Sequence, residues 1–218
     1  MSQKSRPNLI IWDLDGTLVN SLPSTLNAFN DGLEPYLGRR MTFDEIMSHF
    51  GPSEEKIIAK IVGEELADEC YQKVLASTAQ RLSDVIPHDG ILDALDEIKT
   101  LGYRFGIFTG RGRKTTDIIL DHLGLRSRFE EIVTNTEVEH NKPHPEGIYK
   151  ICKKTGIPPS QAIMVGDSPM DIQAGRTAGT LTVGCAWDEL ADRDALGKAN
   201  ANHVLNHPSG FSAWLTER

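Results

Sequence analysis

The apolar run from Leu9 to Trp12 stops abruptly at Asp13-Leu-Asp-Gly-Thr17. This reads as a buried strand over residues 8–12 that delivers its carboxyl end to a polar loop. From about residue 21 to residue 83 the pattern turns helical and no strand is expected. Thr42 with Glu45 makes a capping box, Ser53 before Glu54 and Glu55 marks a second helix start, and Ile57, Ile58, Ile61 and Val62 trace one apolar stripe. After Pro87, helices and strands alternate in the way that builds a parallel sheet. Ile91, Leu92, Leu95 and Ile98 form a helical stripe ending at Gly102. Strands are expected at 103–108, 132–134, 162–165, 181–185 and 204–205. Helices are expected at 115–123, around Ile148, Ile151 and Cys152, at 171–178 and at 208–215. The predicted architecture is α/β, a doubly wound parallel sheet with an all-helical insertion. Residues 1–19 and 85–218 would form the core and residues 20–84 the inserted cap.

Composition narrows the classes of function. A chain of 218 residues with 39% hydrophobic positions and a formal net charge of −8 can bury roughly 70% of its unfolded surface without staples. Cys70, Cys152 and Cys185 are far apart and form no C-x-x-C, which argues against disulfides and a cysteine-rich zinc site and for a reducing compartment. The apolar stretch near the N-terminus is shorter than a signal-peptide core or a membrane span needs. A cytoplasmic location and no membrane partner are therefore expected. The acidic balance and the absence of a basic block remove the electrostatic term that dominates nucleic-acid binding. An anionic ligand would need a local positive site.

Four polar clusters fall at predicted strand ends, where ligands bind in doubly wound sheets. Asp13 and Asp15 are two carboxylates one residue apart, tolerable where a cation, a proton or hydrogen-bond donors compensate them. A divalent metal is the simplest partner, and magnesium suits a sparse acidic site; a solvated loop with a helix cap is the plainer alternative. Thr109 and Gly110-Arg-Gly-Arg-Lys-Thr115 precede a helix and could hold an anion on a hydroxyl and backbone N–H groups. The same stretch also reads as a turn with arginines in solvent. Lys142 stands before Pro143 on a stiff approach to a helix, able to aim its ammonium or simply to lie on the surface. In Gly166-Asp167-Ser-Pro-Met-Asp171, Asp167 and Asp171 are candidate metal ligands, with helix capping as a coexisting role. His88, His122, His140, His203 and His207 are read as surface or loop residues and His144 as structural, so no zinc site is expected. No G-x-S-x-G elbow occurs.

Taken together, Asp13-x-Asp15-Gly-Thr-Leu-Val, Thr109, Lys142-Pro and Gly166-Asp167-Ser-x-x-Asp171 resemble the haloacid dehalogenase-like hydrolase superfamily, in its helical-cap subgroup of phosphoglycolate phosphatase-like proteins. The likeness covers nearly the whole chain. It implies a Rossmann-like core with a helical cap and a magnesium-dependent phosphatase acting on a small phosphorylated metabolite. Asp13 would be the nucleophile, Asp15 the acid and base, and Thr109 and Gly110 the phosphoryl grip. Lys142 would offset charge between nucleophile and phosphate. Asp13, the Asp15 carbonyl and Asp167 would reach the metal, with Asp171 assisting. Pyrophosphate hydrolysis and a phosphosugar mutase reaction are same-fold alternatives; a stably aspartyl-phosphorylated binding protein is the alternative from another class. Arg111 stands where many relatives carry a small polar residue, so it either takes a second substrate anion or is solvated. Gly51-Pro-Ser-Glu-Glu55 falls in the region that resembles a specificity loop, where the two acids either select a cationic substrate or, as is expected, are first-turn glutamates at a helix start.

Overall fold

The computed structural model describes residues 7–217; the first six residues and Arg218 of the expected core lie outside the described residues. In chain order the elements are β1 (Leu9–Trp12), β2 (Val19–Asn20), α1 (Leu22–Leu37), α2 (Phe43–Met47), α3 (Glu54–Val62), α4 (Glu64–Gln80), β3 (Ile86–Pro87), α5 (Ile91–Thr100) and β4 (Arg104–Phe108). They continue with α6 (Arg113–His122), β5 (Glu131–Val133), α7 (Glu146–Thr155), β6 (Ala162–Gly166), α8 (Pro169–Ala178), β7 (Leu181–Cys185), α9 (Arg193–Lys198), β8 (His203–Leu205) and α10 (Gly210–Thr216). Six strands form one parallel sheet in the order β5-β4-β1-β6-β7-β8. β1 lies between β4 and β6, so the loops after three adjacent strands open at the same edge, where the strand order reverses.

Period-two alternation explains why β1 can be apolar throughout. Ile10 and Trp12 pack on one face with Phe105, Val165 and Phe211, while Leu9 and Ile11 pack on the other with Phe108, Ile148 and Met164. All four β1 residues are fully buried, as expected of a central strand covered on both faces. The helices between β2 and β3 bury a cluster of their own, centred on Phe29, Leu33, Ile46, Ile58, Tyr71 and Val74. The capping box forms as expected: Thr42 Oγ1 accepts from the Glu45 amide, and Glu45 accepts from the Thr42 amide at 2.7 Å.

Two features escape the sequence pattern. The segments that leave and re-enter the core pair as a short antiparallel ribbon, Val19 with Pro87 and Asn20 with Ile86. Strands of two residues are too short to show a period. Helix α9 buries only Leu196, so it carries no apolar stripe. Elsewhere the boundaries shift slightly: α6 begins at Arg113 and α8 at Pro169, nearer their caps than the apolar residues indicate. Among the described residues no helix is long and apolar enough to cross a membrane.

Candidate active site

The ends of β1, β4 and β6 and the loop before α7 converge on one cavity of about 190 Å³, lined on its other side by α1, α3 and the loop ahead of α3. Asp13 leaves β1 with its amide still bonded to the Val165 carbonyl at 2.8 Å, a hydrogen bond that pins its Cα to the neighbouring strand. Lys142 Nζ lies 2.8 Å from Asp13 Oδ1 and 2.6 Å from Asp171 Oδ1, and donates to the Phe108 carbonyl at 3.2 Å. All three ammonium protons are thus engaged in a side chain that is 8% exposed. Burial disfavours the Lys142 charge, but Asp13 and Asp171 override it and hold the ammonium protonated.

Asp13, Asp167 and Asp171 offer carboxylate oxygens within 4.8 Å of one another. Burial pushes Asp13 up; Lys142 pulls it back, and Asp171 and Asp167 add to the rise. Burial and Asp171 likewise push Asp167 up to about 7. Three crowded carboxylates facing one ammonium are short of positive charge, which is the donor chemistry a hard divalent cation satisfies. Two glycines make the crowding possible. Gly16 has a φ of +76°, and a Cβ there would meet Asp167 Oδ2 at 2.4 Å; a Cβ on Gly166 would meet the Asp171 carboxyl carbon at 2.2 Å. Asp167 also accepts from Thr17 Oγ1 at 2.9 Å. Asp171 closes the capping box of α8 by accepting from the Ser168 amide at 3.1 Å, so one carboxylate caps a helix and holds Lys142.

Asp15 is only two residues from Asp13 but points elsewhere. Its carboxylate stands outside the three-carboxylate group, so any approach of Asp15 to a metal falls to its backbone. Arg111 embraces it with Nη2 at 2.6 Å from Oδ1 and Nε at 3.1 Å from Oδ2, and Ser21 Oγ donates to it as well. Enclosure works against the charge, yet Arg111 and Ser21 hold the Asp15 carboxyl below its ordinary range. This corrects the expectation for Arg111. It is not solvated: the residue is buried and lines the cavity, and its Nη2 also donates to Thr25 Oγ1 at 2.7 Å.

Thr109 is fully buried, its Oγ1 accepting from the Arg111 amide at 3.1 Å, and the adjoining Gly110 is exposed and lines the cavity. Glu54 was legible only as a first-turn glutamate. It reaches across from α3 to the core, where Thr115 Oγ1 lies 2.8 and 2.9 Å from its two oxygens and Arg111 Nη1 is 3.7 Å away. Burial raises the Glu54 carboxyl; Arg111 and Thr115 oppose the rise without cancelling it. The Gly51 carbonyl accepts from Asn135 and Asn141 at 3.1 and 2.7 Å. The loop ahead of α3 is therefore tied to the core at two points, through partners some 60 to 90 residues away in the chain.

The histidines also differ in part from expectation. His88 is largely covered and faces Asp188 at 3.4 Å, with burial lowering its pKa. His203 stacks on Trp214 at 5.3 Å between ring centroids. His140 and His144, four residues apart and both exposed, lie with ring centroids 4.6 Å apart beside Glu146. That carboxylate is already engaged by the Glu139 and His140 amides and by Lys150.

The comparisons fit this geometry. Residues 10–185 match the family described as haloacid dehalogenase-like hydrolase, and the chain belongs to that family of hydrolases. Among curated relatives, pyrophosphatase PpaX of Bacillus pumilus (strain SAFR-032) is 32% identical over 211 residues, covering 96% of this chain and 97% of the relative. The protein of the same name from Bacillus mycoides (strain KBAB4) is 31% identical over 204 residues, covering 93% and 94%. A solved structure described as a predicted phosphoglycolate phosphatase from Haemophilus somnus 129PT superposes with a TM-score of 0.82 at 22% identity, covering 98% of this chain and 99% of the other. CbbY from Rhodobacter sphaeroides in complex with phosphate gives a TM-score of 0.78 at 18% identity, covering 93% and 95%. These last two likenesses establish the fold, including its helical cap.

Proposed function

We propose that this hydrolase is a magnesium-dependent phosphatase that cleaves a small phosphate monoester through an aspartyl-phosphate on Asp13. The observation that carries the reading is the gathering of Asp13, Asp167 and Asp171 within 4.8 Å of one another, with Lys142 paired to Asp13 and Asp171. A phosphoryl group spreads negative charge over three oxygens during transfer, so catalysis rests mostly on positioning and on cations. Asp13, Asp167 and the Asp15 carbonyl would hold the magnesium, with Asp171 beside them, and the ion would supply the positive charge that phosphoryl oxygens need.

Asp13 forms a bond from a carboxylate oxygen to phosphorus while the ester P–O bond breaks, and Asp15 gives its proton to the departing oxygen. Asp15 then takes a proton from water as the water oxygen attacks phosphorus. The Asp13–phosphorus bond breaks, and phosphate leaves. Lys142 offsets the charge that Asp13 and the phosphoryl group bring together, and Thr109 and the Gly110 amide hold phosphoryl oxygens. In the substrate-free site Asp15 is ionised and paired with Arg111, so before the first step substrate entry has to break that pair, let Asp15 take up a proton from water and turn it toward the leaving oxygen.

Magnesium-dependent release of phosphate from p-nitrophenyl phosphate tests this reading. Multiple turnovers that vanish in Asp13→Asn support it. A single phosphate held stably per chain would instead identify an aspartyl-phosphorylated binding protein. Pyrophosphate hydrolysis is the second reading, and the names of the curated relatives favour it.

A further inference from the structure

The two ends of the cavity are made of different chemistry. The core lines it with Asp13, Lys142 and Asp171, and with Met170 from α8; the cap lines it with Leu22, Phe29, Phe50, Pro52 and Ile57. Two cations line the cavity, Arg111 and Lys142, and both belong to the core. Lys142 is held between Asp13 and Asp171. Arg111 is held by Asp15 and Thr25, with the Glu54 carboxylate at its remaining end.

Building on the phosphatase reading, we propose that this site selects esters whose leaving group is uncharged and carries an apolar segment about the size of one ring, and that Glu54 enforces that choice. A leaving group with its own anion, such as the carboxylate of phosphoglycolate or the second phosphoryl of pyrophosphate, would be set against the aromatic and aliphatic wall or beside Glu54. There it loses hydration and meets no free cation. An apolar segment in the same place gains by leaving water. The volume sets an upper bound: the whole cavity, phosphoryl end included, measures about 190 Å³, and an apolar space of about 150 Å³ takes benzene, so the segment covered is no larger than about one ring.

Glu54 matters because of when Arg111 could become free. Once Asp15 turns to the leaving oxygen, the guanidinium would be available to a substrate anion if nothing else neutralised it. Glu54 is placed to do so, and it is fixed rather than loose. Thr115 Oγ1 lies within 2.9 Å of both its oxygens, and it packs over Gly112, where a Cβ would come within 2.9 Å of Oε2. It is a specificity-determining and positioning residue that contacts no reacting atom.

The test compares benzyl phosphate, phosphoglycolate and inorganic pyrophosphate with the magnesium-loaded protein, by kcat/KM. Benzyl phosphate should lead both anion-bearing substrates by at least about tenfold. In Glu54→Gln, which keeps the bond to Thr115 but removes the charge, that lead should shrink about fivefold or more as Arg111 becomes available. Because Phe50 is partly exposed, Phe50→Ala should fold and raise the KM for benzyl phosphate about fivefold with kcat little changed. Calorimetric titration of Asp13→Asn with the same three compounds should give the same order of affinity without turnover. An anion-bearing substrate equal to or better than benzyl phosphate, or a lead unchanged in Glu54→Gln, overturns the proposal. Hydrolysis of all three in the reverse order would sink this inference and leave the phosphatase reading standing. The expected order of affinity with no turnover of any compound would do the opposite.

Discussion

The core end and the cap end of the cavity solve different physical problems. At the core end, charged groups are buried together because strand ends hold them there: Asp13 is bonded through its amide to β6, Asp167 follows that strand, and Lys142 finds three acceptors. Such a cluster is expensive to bury and is tolerated only when every charge has a partner. At the cap end, Phe29, Phe50 and Ile57 need no polar partners, while Glu54, Thr25 and the Gly51 carbonyl reach across to the core. On the proposed reading, chemistry sits on the sheet and discrimination on helices that can vary without disturbing it.

Variants at the two ends should separate these roles. The largest effect is expected from Asp13→Asn, which removes the attacking carboxylate: turnover measured by phosphate release should fall by at least about 10⁴-fold. Survival of substantial turnover would break the core end's claim to the chemistry. Asp15→Asn should lose about 10³-fold while magnesium affinity, followed by calorimetry, changes little, because the backbone carbonyl there is unaltered. Lys142→Met should cost about 10²-fold in kcat. The same change should lower the thermal midpoint, since it leaves Asp13 and Asp171 buried without their ammonium.

A pH series sharpens the contrast further. Asp167 is pushed from 3.8 up to about 7, so between those values the native state of the metal-free protein keeps a proton that the unfolded chain has released. Stability should therefore fall as pH rises through that window. Magnesium, which needs the ionised carboxylates, should raise the melting temperature more near the upper end of the window than near the lower. Asp167→Asn should flatten the metal-free slope, and an unchanged slope would assign it to other groups. The smallest effect belongs to the cap: Thr42→Ala removes one half of a capping box far from the cavity. It should cost about 1 kcal/mol in urea unfolding, with kcat unaffected.

Much of the core end was legible before any coordinates. An apolar run that ends in Asp13 and Asp15 marks a buried strand feeding a polar loop, whereas Lys142 before proline reads equally as a surface lysine, and only the fold sets it against Asp13 and Asp171. The cap end was not legible in the same way. Glu54 reads as a helix-start residue because its partner, Thr115, lies 61 positions away. Arg111 reads as a solvated or anion-binding residue because Asp15 lies 96 positions away. The β2–β3 ribbon is too short for any periodicity, and α9 buries a single leucine.

What the amino-acid order determined by itself was local: where strands end, where helices are capped, and which carboxylates stand at a strand's mouth. These follow from dihedral preference and from burial with a period of two or nearly four, both readable within a dozen neighbouring residues. The tertiary structure alone decided which charge neutralises which, turning Asp15 toward Arg111 and Glu54 toward Thr115 while Asp13 kept Lys142. Pairing of that kind acts over a few ångströms of space, and chain folding brings together groups that the sequence keeps far apart.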